Sequence, residues 1–222
     1  MSRLLILTGV DVEARGLARH LALGRVADSG WPHYRAGALE VVCVGLRAAG
    51  LEERLAAARP SLVISAGTCG ALGPHLRRGD LVVPETVIGL DGSRAVTAPW
   101  PGLVRQGRLL SVTGLVDTPA AKARLWMETG ALAADMESGP IVAWARTRGV
   151  AAAVVRGVSD TAGQGVPRDL AGLVDPGGRV RRAGAMRVAL TRPRALADAL
   201  VLGRGTAAAL AAVARVLGEL AR

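Results

Sequence analysis

Carboxylates, hydroxyls and glycines gather in four short segments of the sequence, each placed just after an apolar run. The segments are Thr-Gly-Val-Asp-Val-Glu at residues 8–13, Gly-Thr-Cys-Gly at 67–70, Asp-Met-Glu-Ser at 135–138 and Arg-Gly-Val-Ser-Asp at 156–160. In an open α/β sheet, ligands bind at the carboxyl ends of the strands, so these segments can meet at one edge. Carboxylates and hydroxyls beside a glycine-rich loop suit a sugar that carries an activated leaving group.

Other chemistries lack their usual sequence signals. The chain contains no G-x-G-x-x-G, G-x-x-x-x-G-K or G-x-S-x-G pattern, and His20, His33 and His75 stand apart. These absences argue against hydride transfer, ATP hydrolysis and a serine triad. Cys43 and Cys69 have no histidine or cysteine at metal-ligand spacing, so we expect reduced structural thiols and no metal.

The elements that must position these segments alternate between buried strands and helices. Apolar runs bounded by glycine, proline or charge predict strands at residues 4–7, 39–44, 62–65, 81–83, 109–112, 131–134 and 151–155. Helical periodicity predicts helices at residues 12–23, 47–58, 119–128 and 138–148. This alternation predicts an α/β fold with a central, mixed but mostly parallel twisted sheet that is flanked by helices.

The chain changes composition after residue 163. The segment from Arg179 to Arg194 carries six arginines and no acid, and two helices are predicted over residues 193–203 and 206–220. No boundary or internal repeat divides the chain. We therefore expect a single domain over residues 1–222, with a basic, amphipathic helical extension from about residue 179.

Length and composition limit the classes of protein to consider. The 222 residues are 50% hydrophobic and 21% charged, which excludes the composition of disordered chains. No apolar span reaches the roughly 18 to 20 residues of a membrane helix, and no signal-peptide core is present, so we expect a cytoplasmic protein. The net charge is +10, but four tryptophans and one tyrosine, none interleaved with a basic run, give no stacking surface. We therefore expect no nucleic-acid partner.

Two pairs of motifs resemble those of a known family. Ile-Ser-Ala-Gly-Thr-Cys-Gly-Ala-Leu at residues 64–72, followed by Arg-Gly-Asp-Leu-Val-Val at 78–83, is similar to the signature of the nucleoside phosphorylase and nucleosidase superfamily. Asp-Met-Glu-Ser at 135–138 and Val-Val-Arg-Gly-Val-Ser-Asp at 154–160 resemble its second half. The resemblance implies a three-layer fold, cleavage of purine nucleosides without a cofactor, and a homo-oligomer.

Within that superfamily, the chain most resembles the hopanoid-associated branch. It shares Asp-Met-Glu-Ser, Asp-Pro-x-Gly-x-Val at residues 175–180 and Arg-Pro-Arg at 192–194 with this branch. The resemblance implies an adenine nucleoside with an apolar 5′ substituent as substrate, adenosylhopane in hopanoid biosynthesis. The segment from Arg179 to Arg194 could then rest on anionic lipid at the inner face of the membrane.

Cleavage of an N-glycosidic bond requires a proton donor for the leaving purine and a clamp on the ribose hydroxyls. Asp160, oriented by Ser159 and held protonated by burial, is the candidate donor to purine N7. Glu137 is the candidate acceptor for the ribose hydroxyls, because its carboxylate binds more strongly as the ring gains positive charge. Met136 is expected to pack on the sugar.

The nucleophile is either water or phosphate. Glu13 would activate water, and Thr68 with the backbone N–H groups of the loop that begins at Gly67 would hold it. An acid such as Glu13 in the first turn of a helix also favours the helix without any chemical role. In the alternative, Thr68, Gly9 and Arg47 would bind phosphate as a co-substrate.

Several alternatives to a hydrolase of hopanoid nucleosides stay open. Ser65 stands where bacterial hexameric phosphorylases place a phosphate-binding arginine, which weakens a phosphate-dependent reaction. The acid Glu13 is a feature that the chain shares with methylthioadenosine/S-adenosylhomocysteine nucleosidases and futalosine hydrolases. A nucleoside-binding module without catalysis is a further alternative, but the presence of both Glu137 and Asp160 argues against a dead site.

Overall fold

The computed structural model describes residues 3–100, 102–167, 174–180 and 193–220, with the side chains of the last helix from residue 202 to 219. The strands are β1 (Leu4–Thr8), β2 (Gly24–Arg25), β3 (His33–Ala36), β4 (Leu39–Cys43), β5 (Leu62–Ala71), β6 (Leu81–Val82), β7 (Thr86–Gly89), β8 (Arg94–Val96), β9 (Arg108–Ser111), β10 (Ala133–Asp135) and β11 (Ala151–Asp160). The helices are α1 (Asp11–His20), α2 (Leu51–Leu55), α3 (Pro119–Thr129), α4 (Ser138–Thr147) and α5 (Pro193–Leu220), with a 3₁₀ turn at Leu46–Ala48.

One mixed sheet runs through the described residues, and β5 is its central strand. The strand order is β2-β3-β4-β1-β5-β10-β9-β7-β8, with β11 paired to β5 and β6 paired to β11. β5 pairs with β11 along nearly its whole length. Its other edge pairs first with the parallel β1 at residues 62–65 and then with the antiparallel β10 at residues 70–71. Residues 66–69 of that edge therefore lie between two diverging strands.

Both faces of the sheet are buried, as the alternation of side chains along β1 illustrates. Leu5 and Leu7 belong to the core that includes residues of α2 and α4, whereas Ile6 belongs to the opposite core with α1 and α5. Every second side chain of a strand points to the same face, which explains this division. Helices thus cover both faces, and the predicted three-layer α/β fold is confirmed.

A third, smaller core lies beside α3. Leu125 of this helix joins Leu110 of β9 in it. The helix begins after Thr118, whose hydroxyl accepts a hydrogen bond from the N–H of Ala121 at 3.2 Å. It ends at Gly130, whose left-handed conformation (φ 64°) stops the helix. These two end signals fix the length of α3, and its buried residues Lys122 and Leu125 face the sheet, where Lys122 contacts Asp160 at the end of β11.

The structure departs from the sequence prediction at the edges and ends of the sheet. The apolar runs do not predict β2, β3, β7 and β8, because these strands are short and partly exposed. β5 and β11 extend to Ala71 and Asp160, so residues 67–70 and 156–160 belong to strands. The prediction that residues 67–70 form a loop is therefore wrong.

The last helix is one continuous element, and the prediction of two separate helices is wrong. A Cβ at Gly205 of α5 would lie 2.1 Å from the carbonyl oxygen of Ser159. A Cβ at Gly157 of β11 would lie 2.5 Å from the carbonyl oxygen of Ala209. Gly157 and Gly205 thus let α5 approach the sheet closely, and the helix continues through Gly203 and Gly205.

The predicted basic segment from Arg179 to Arg194 lies largely outside the described residues. Its first two residues close a turn that packs at the start of α1, where the N–H of Asp11 donates to the carbonyl oxygen of Gly178 at 2.8 Å. Among the helices of the described part, none has the length and apolar character that crossing a membrane requires.

Gly157→Ala tests the close approach of α5 to the sheet. The added methyl group would overlap the backbone of Ala209, so we expect the free energy of unfolding to fall by about 1–3 kcal/mol. Gly203→Ala is the matched control, because a Cβ at this position of α5 meets nothing within 4 Å. Alanine favours a helix, so we expect the control to gain up to about 1 kcal/mol. Denaturant unfolding followed by circular dichroism measures both, and equal effects would contradict the close packing.

Candidate active site

A cavity of about 200 Å³ lies where β1 and β10 diverge along β5. The four polar segments of the sequence meet around it, each contributing at least two residues. The lining residues are Gly9, Val10, Glu13, Leu46, Thr68, Cys69, Gly70, Leu72, Val112, Gly114, Leu115, Val116, Lys122, Ala134, Asp135, Met136, Glu137, Ser159 and Asp160. The divergence of the two strands is what makes room for this cavity inside a continuous sheet.

Glu13 is a buried acid that links α1 to β5. Its Oε1 accepts hydrogen bonds from the backbone N–H and the hydroxyl of Thr68, both at 2.8 Å. Its Oε2 accepts from the N–H groups of Gly9 at 3.1 Å and Val10 at 3.3 Å. Because Val10 directly precedes α1, the hydrogen bond from its N–H to the third residue, Glu13, also caps the first turn of the helix. The carboxylate therefore holds both strand and helix in place.

Glu137 lies directly before α4, on the opposite side of the opening from α1. Its side chain is buried, and its Oε1 accepts a hydrogen bond from the backbone N–H of Arg47 at 3.0 Å. Its carboxylate also lies against Gly9, where a Cβ would come within 2.6 Å of Cδ. Glycine at residue 9 thus allows the two sides of the opening to approach each other.

The charge of Glu137 is costly in this place. Burial raises the pKa of Glu137, and the nearby guanidinium of Arg156 lowers it by a smaller amount. The resulting pKa is about 7. Asp135 and Glu13 add further negative charge and raise the pKa as well. The carboxyl group of Glu137 consequently changes its protonation close to neutral pH.

Arg156 of β11 is a fully buried cation beside these carboxylates. Its Nη2 lies 2.8 Å from Oδ2 of Asp135 and 2.7 Å from Oγ of Ser65, and the hydroxyl of Ser138 accepts from it at 3.1 Å. Burial alone would lower the pKa of Arg156, but the surrounding carboxylates raise it above its ordinary value. The guanidinium is therefore charged and joins β5, β10 and β11.

One nitrogen of this guanidinium faces Glu13. Nη1 of Arg156 is buried and has no hydrogen-bond acceptor among the described residues. A Cβ at Gly67 would lie 2.8 Å from this nitrogen and 2.7 Å from Oε1 of Glu13. A donor and an acceptor thus face the same small volume beside the α-carbon of Gly67.

Asp160, at the end of β11, forms a buried ion pair. Its Oδ1 accepts a hydrogen bond from the hydroxyl of Ser159 at 2.6 Å, and its Oδ2 lies 2.5 Å from Nζ of Lys122 on α3. The side chain of Lys122 is only 1% exposed. The expectation that burial keeps Asp160 protonated takes no account of this ammonium group.

Most of the residues predicted for the site lie together. Those that line the cavity are Gly9, Glu13, Thr68, Met136, Glu137, Ser159 and Asp160. Gly67 lies directly beside it in β5, between Glu13 and Arg156. Arg47 is the exception, because only its backbone N–H reaches Glu137, while the residue lines a neighbouring cavity.

Sequence reasoning missed two charged residues of this region, Lys122 and Arg156. Lys122 is the only lysine beside 27 arginines, and this exceptional use of lysine is a signal that could have found it. Arg156 directly follows the apolar run at residues 151–155 and is fully buried within β11. A charge inside a buried strand needs partners, which points to a polar cluster.

The neighbouring cavity is larger, at about 690 Å³. It lies between α4 and the β7–β8 hairpin and shares Val112 and Met136 with the first cavity. Its lining residues are Arg47, Val87, Ile88, Gly89, Leu90, Asp91, Ser93, Arg94, Ala95, Ser111, Val112, Thr113, Met136, Gly139, Pro140, Ala143 and Arg146. Most of the surface that the cavity exposes is apolar, although seven of the lining side chains are polar, three arginines among them.

Metal-ligand clusters and reactive thiols are not features of the described residues. No group of three or more histidine, cysteine, aspartate or glutamate side chains in residues 3–100, 102–167, 174–180 and 193–220 is arranged to hold a metal ion. Both cysteines are free and buried, and burial raises the pKa of Cys43 to about 11 and that of Cys69 further. Neither thiol is readily ionised at neutral pH.

Comparison with known proteins identifies relatives at the level of family and fold. A family model described as the phosphorylase superfamily matches residues 4–105 and 101–201. A comparison with the curated proteins gives no match. Many solved structures resemble the chain, although their sequence identity is low.

Three of these structures illustrate the likeness. The 5′-methylthioadenosine nucleosidase of Arabidopsis thaliana in its apo form has 19% identity and a TM-score of 0.69, over 99% of this chain and 96% of that one. The futalosine hydrolase of Helicobacter pylori has 14% identity and a TM-score of 0.70, over 99% and 97%. A mutant 5′-methylthioadenosine nucleosidase of Helicobacter pylori, with 5′-methylthioadenosine in its active site, has 15% identity and a TM-score of 0.70, over 100% and 98%. At these identities the likeness is one of fold.

Glu137→Gln tests the buried charge. Because the pKa of Glu137 is raised from 4.5 to about 7 on folding, the folded protein keeps a proton that the unfolded chain releases, and stability declines as pH rises through this interval. The amide of the variant has no such dependence. As pH rises from 4.5 to about 7, we expect the free energy of unfolding of Glu137→Gln to increase relative to that of the wild type. Above this interval the difference should stay constant.

Thermal unfolding in a series of buffers across this interval measures the difference. Glu53→Gln is the control, because Glu53 is exposed on α2 and its substitution removes a carboxyl group without relieving a buried charge. A stability difference for Glu137→Gln that is the same throughout would contradict the buried, charged carboxylate.

Proposed function

The chain belongs to the phosphorylase superfamily, and on this basis we propose that it hydrolyses the N-glycosidic bond of a purine nucleoside and releases the base. The membership confirms the predicted family and the predicted class, an enzyme that cleaves purine nucleosides. The nucleophile, the roles of the side chains and the 5′ group of the substrate are proposed from the contacts of the site.

Glu13 carries the proposal that water is the nucleophile. Its carboxylate already accepts the N–H groups of Gly9, Val10 and Thr68 and the hydroxyl of Thr68, which are the donors that a phosphate would need. A second anion there would be repelled by Glu13. Lys122 is the only lysine or arginine among the described residues that line the cavity, and it is paired with Asp160. The guanidinium of Arg156 behind the lining is already offset by Asp135 and the neighbouring glutamates. Neutral water meets no such repulsion.

In the proposed reaction, Glu13 takes a proton from the water whose oxygen attacks C1′. Nη1 of Arg156 lies beside Oε1 of Glu13 and is free to donate a hydrogen bond to the same water oxygen. A donor and a base on one water molecule orient its lone pair and remove its proton together.

The other acids act on the sugar and the base. Glu137 accepts hydrogen bonds from the ribose hydroxyls, and its negative charge stabilises the oxocarbenium-like ring. Asp160, hydrogen-bonded to Ser159, delivers a proton to purine N7. Met136 packs on the sugar, and the base lies against the aliphatic side chains that line the cavity, Leu72, Val112, Leu115 and Val116.

The neighbouring cavity supports a substrate with a bulky apolar 5′ group. It adjoins the site at Met136, the residue proposed to pack on the sugar, and its volume of about 690 Å³ exceeds what the nucleoside itself needs. The mostly apolar surface of this cavity suits a hydrocarbon, for which adenosylhopane is the candidate that the sequence resemblance suggests. A homo-oligomer, and contact of the segment from Arg179 to Arg194 with anionic lipid, are further parts of this proposal.

A substrate screen in phosphate-free buffer tests the nucleophile. The candidate substrates are adenosine, 5′-methylthioadenosine, futalosine and adenosylhopane. For each one that the protein cleaves, we expect release of the base at full rate without phosphate, together with a sugar that carries a free 1′-hydroxyl. Glu13→Gln should lower kcat by about 100-fold or more, because the water loses its base. Glu53→Gln is the surface control and should act as the wild type. A requirement for phosphate would overturn the hydrolytic mechanism.

Ala143→Trp tests the role of the second cavity. Ala143 of α4 lines only that cavity, so an indole there should raise KM for adenosylhopane about tenfold or more and leave adenosine unaffected. Ala207→Trp, at an exposed alanine of α5, is the matched control. Steady-state kinetics with both substrates give the answer, and an equal rise in KM for adenosine would contradict a 5′-group cavity.

A further inference from the structure

Lys122 is a buried lysine whose hydrogen bonds are completely defined. Its Nζ lies 2.5 Å from Oδ2 of Asp160, 2.9 Å from the carbonyl oxygen of Thr161 and 2.8 Å from that of Gln164. A protonated amine has three N–H groups, and all three acceptors are thereby matched. A neutral amine in this place would leave one acceptor without a donor.

Asp160, the partner of Lys122, carries no proton while the ion pair is formed. Both oxygens of the Asp160 carboxylate accept hydrogen bonds, one from Lys122 and one from the hydroxyl of Ser159. Departure of a purine nevertheless requires that N7 gain a proton, because the electron pair of the C1′–N9 bond moves onto the base. Asp160 therefore needs a group from which it can take the proton that it gives to N7.

We propose that Lys122 stores the proton that Asp160 delivers to the leaving purine. The proposal rests on the function proposed above and assigns Lys122 as a positioning residue that acts through Asp160. Apart from His20, His33 and His75, which do not line the cavity, every other basic residue of the chain is an arginine, which does not give up its proton in proteins. Lysine is the one basic side chain here whose ammonium can transfer a proton and accept it again.

The transfer balances in protons and charge. A proton leaves Nζ for the Asp160 carboxylate and then leaves that carboxyl group for N7, while the C1′–N9 electron pair goes to the purine. Lys122 is then neutral, and its two remaining N–H groups still match the carbonyl oxygens of Thr161 and Gln164. The attacking water gives its proton to Glu13, and return of that proton through solvent recharges Lys122.

Two substitutions and two substrates test this role. Lys122→Arg keeps the positive charge beside Asp160 but removes the transferable proton, and Lys122→Met removes both. One substrate is the adenine nucleoside that the wild type cleaves fastest. The other is p-nitrophenyl β-D-ribofuranoside, whose leaving group departs as an anion without taking a proton.

We expect both variants to lose about 100-fold or more in kcat on the nucleoside, because N7 is no longer protonated. On the nitrophenyl riboside they should stay within about threefold of the wild type. Arg78→Met is the matched control, because Arg78 contacts the side chain of Gln164 without touching the ion pair. It should cleave both substrates as the wild type does.

The outcomes separate this inference from the proposed function. Lys122→Arg with wild-type activity on the nucleoside would mean that charge alone matters and would overturn proton storage. Equal losses on both substrates would mean a purely structural role and would overturn it as well. If Lys122→Met does not fold, Lys122→Arg decides, since it keeps the buried charge paired. A wild type that cleaves no purine nucleoside would instead reject the proposed function.

Discussion

A single buried guanidinium holds together the strands that form the site. Arg156 of β11 contacts Asp135 at the end of β10, Ser65 of β5 and Ser138 at the start of α4. Removing such an ion from water costs several kcal/mol, so its partners must remain in place for the protein to fold. The same positive charge offsets the neighbouring acids, and the packing and the electrostatics of the site therefore depend on one side chain.

The central strand supplies the other constraint. The parallel register of β5 and β11 places Gly67 opposite Arg156 and Gly70 opposite Asp160. At both positions the missing side chain leaves space for the charged group, since a Cβ at Gly70 would lie 2.9 Å from Oδ2 of Asp160. β1 and β10 then diverge along the other edge of β5, which pairs with β1 at residues 62–65 and with β10 at residues 70–71. The cavity thus follows from strand pairing rather than from a loop that folds over the sheet.

Much of this arrangement could be predicted from the sequence, because it depends on local signals. Continuous apolar runs indicate buried strands, and the polar residues that end them must lie at the sheet edge. The lengths of β5 and β11 could not be predicted, because glycines and charged residues inside them imitate the end of a strand. The contact of Lys122 with Asp160 was not predicted for a different reason. Lys122 lies on a helix and reaches Asp160 only through tertiary packing. The continuity of α5 through its glycines likewise depends on the close approach to β11.

Glu13 is both the proposed base and a residue that holds α1 and β5 together. Its carboxylate caps the first turn of α1 and anchors Thr68 of β5, and α1 in turn packs against α5 through Gly16 and Leu210. A carboxyl group that takes up a proton gives up part of its capacity to accept hydrogen bonds. If Glu13 acts as the base, taking up a proton weakens the hydrogen bonds that fix the start of this helix, so catalysis and the anchoring of α1 draw on the same carboxyl group.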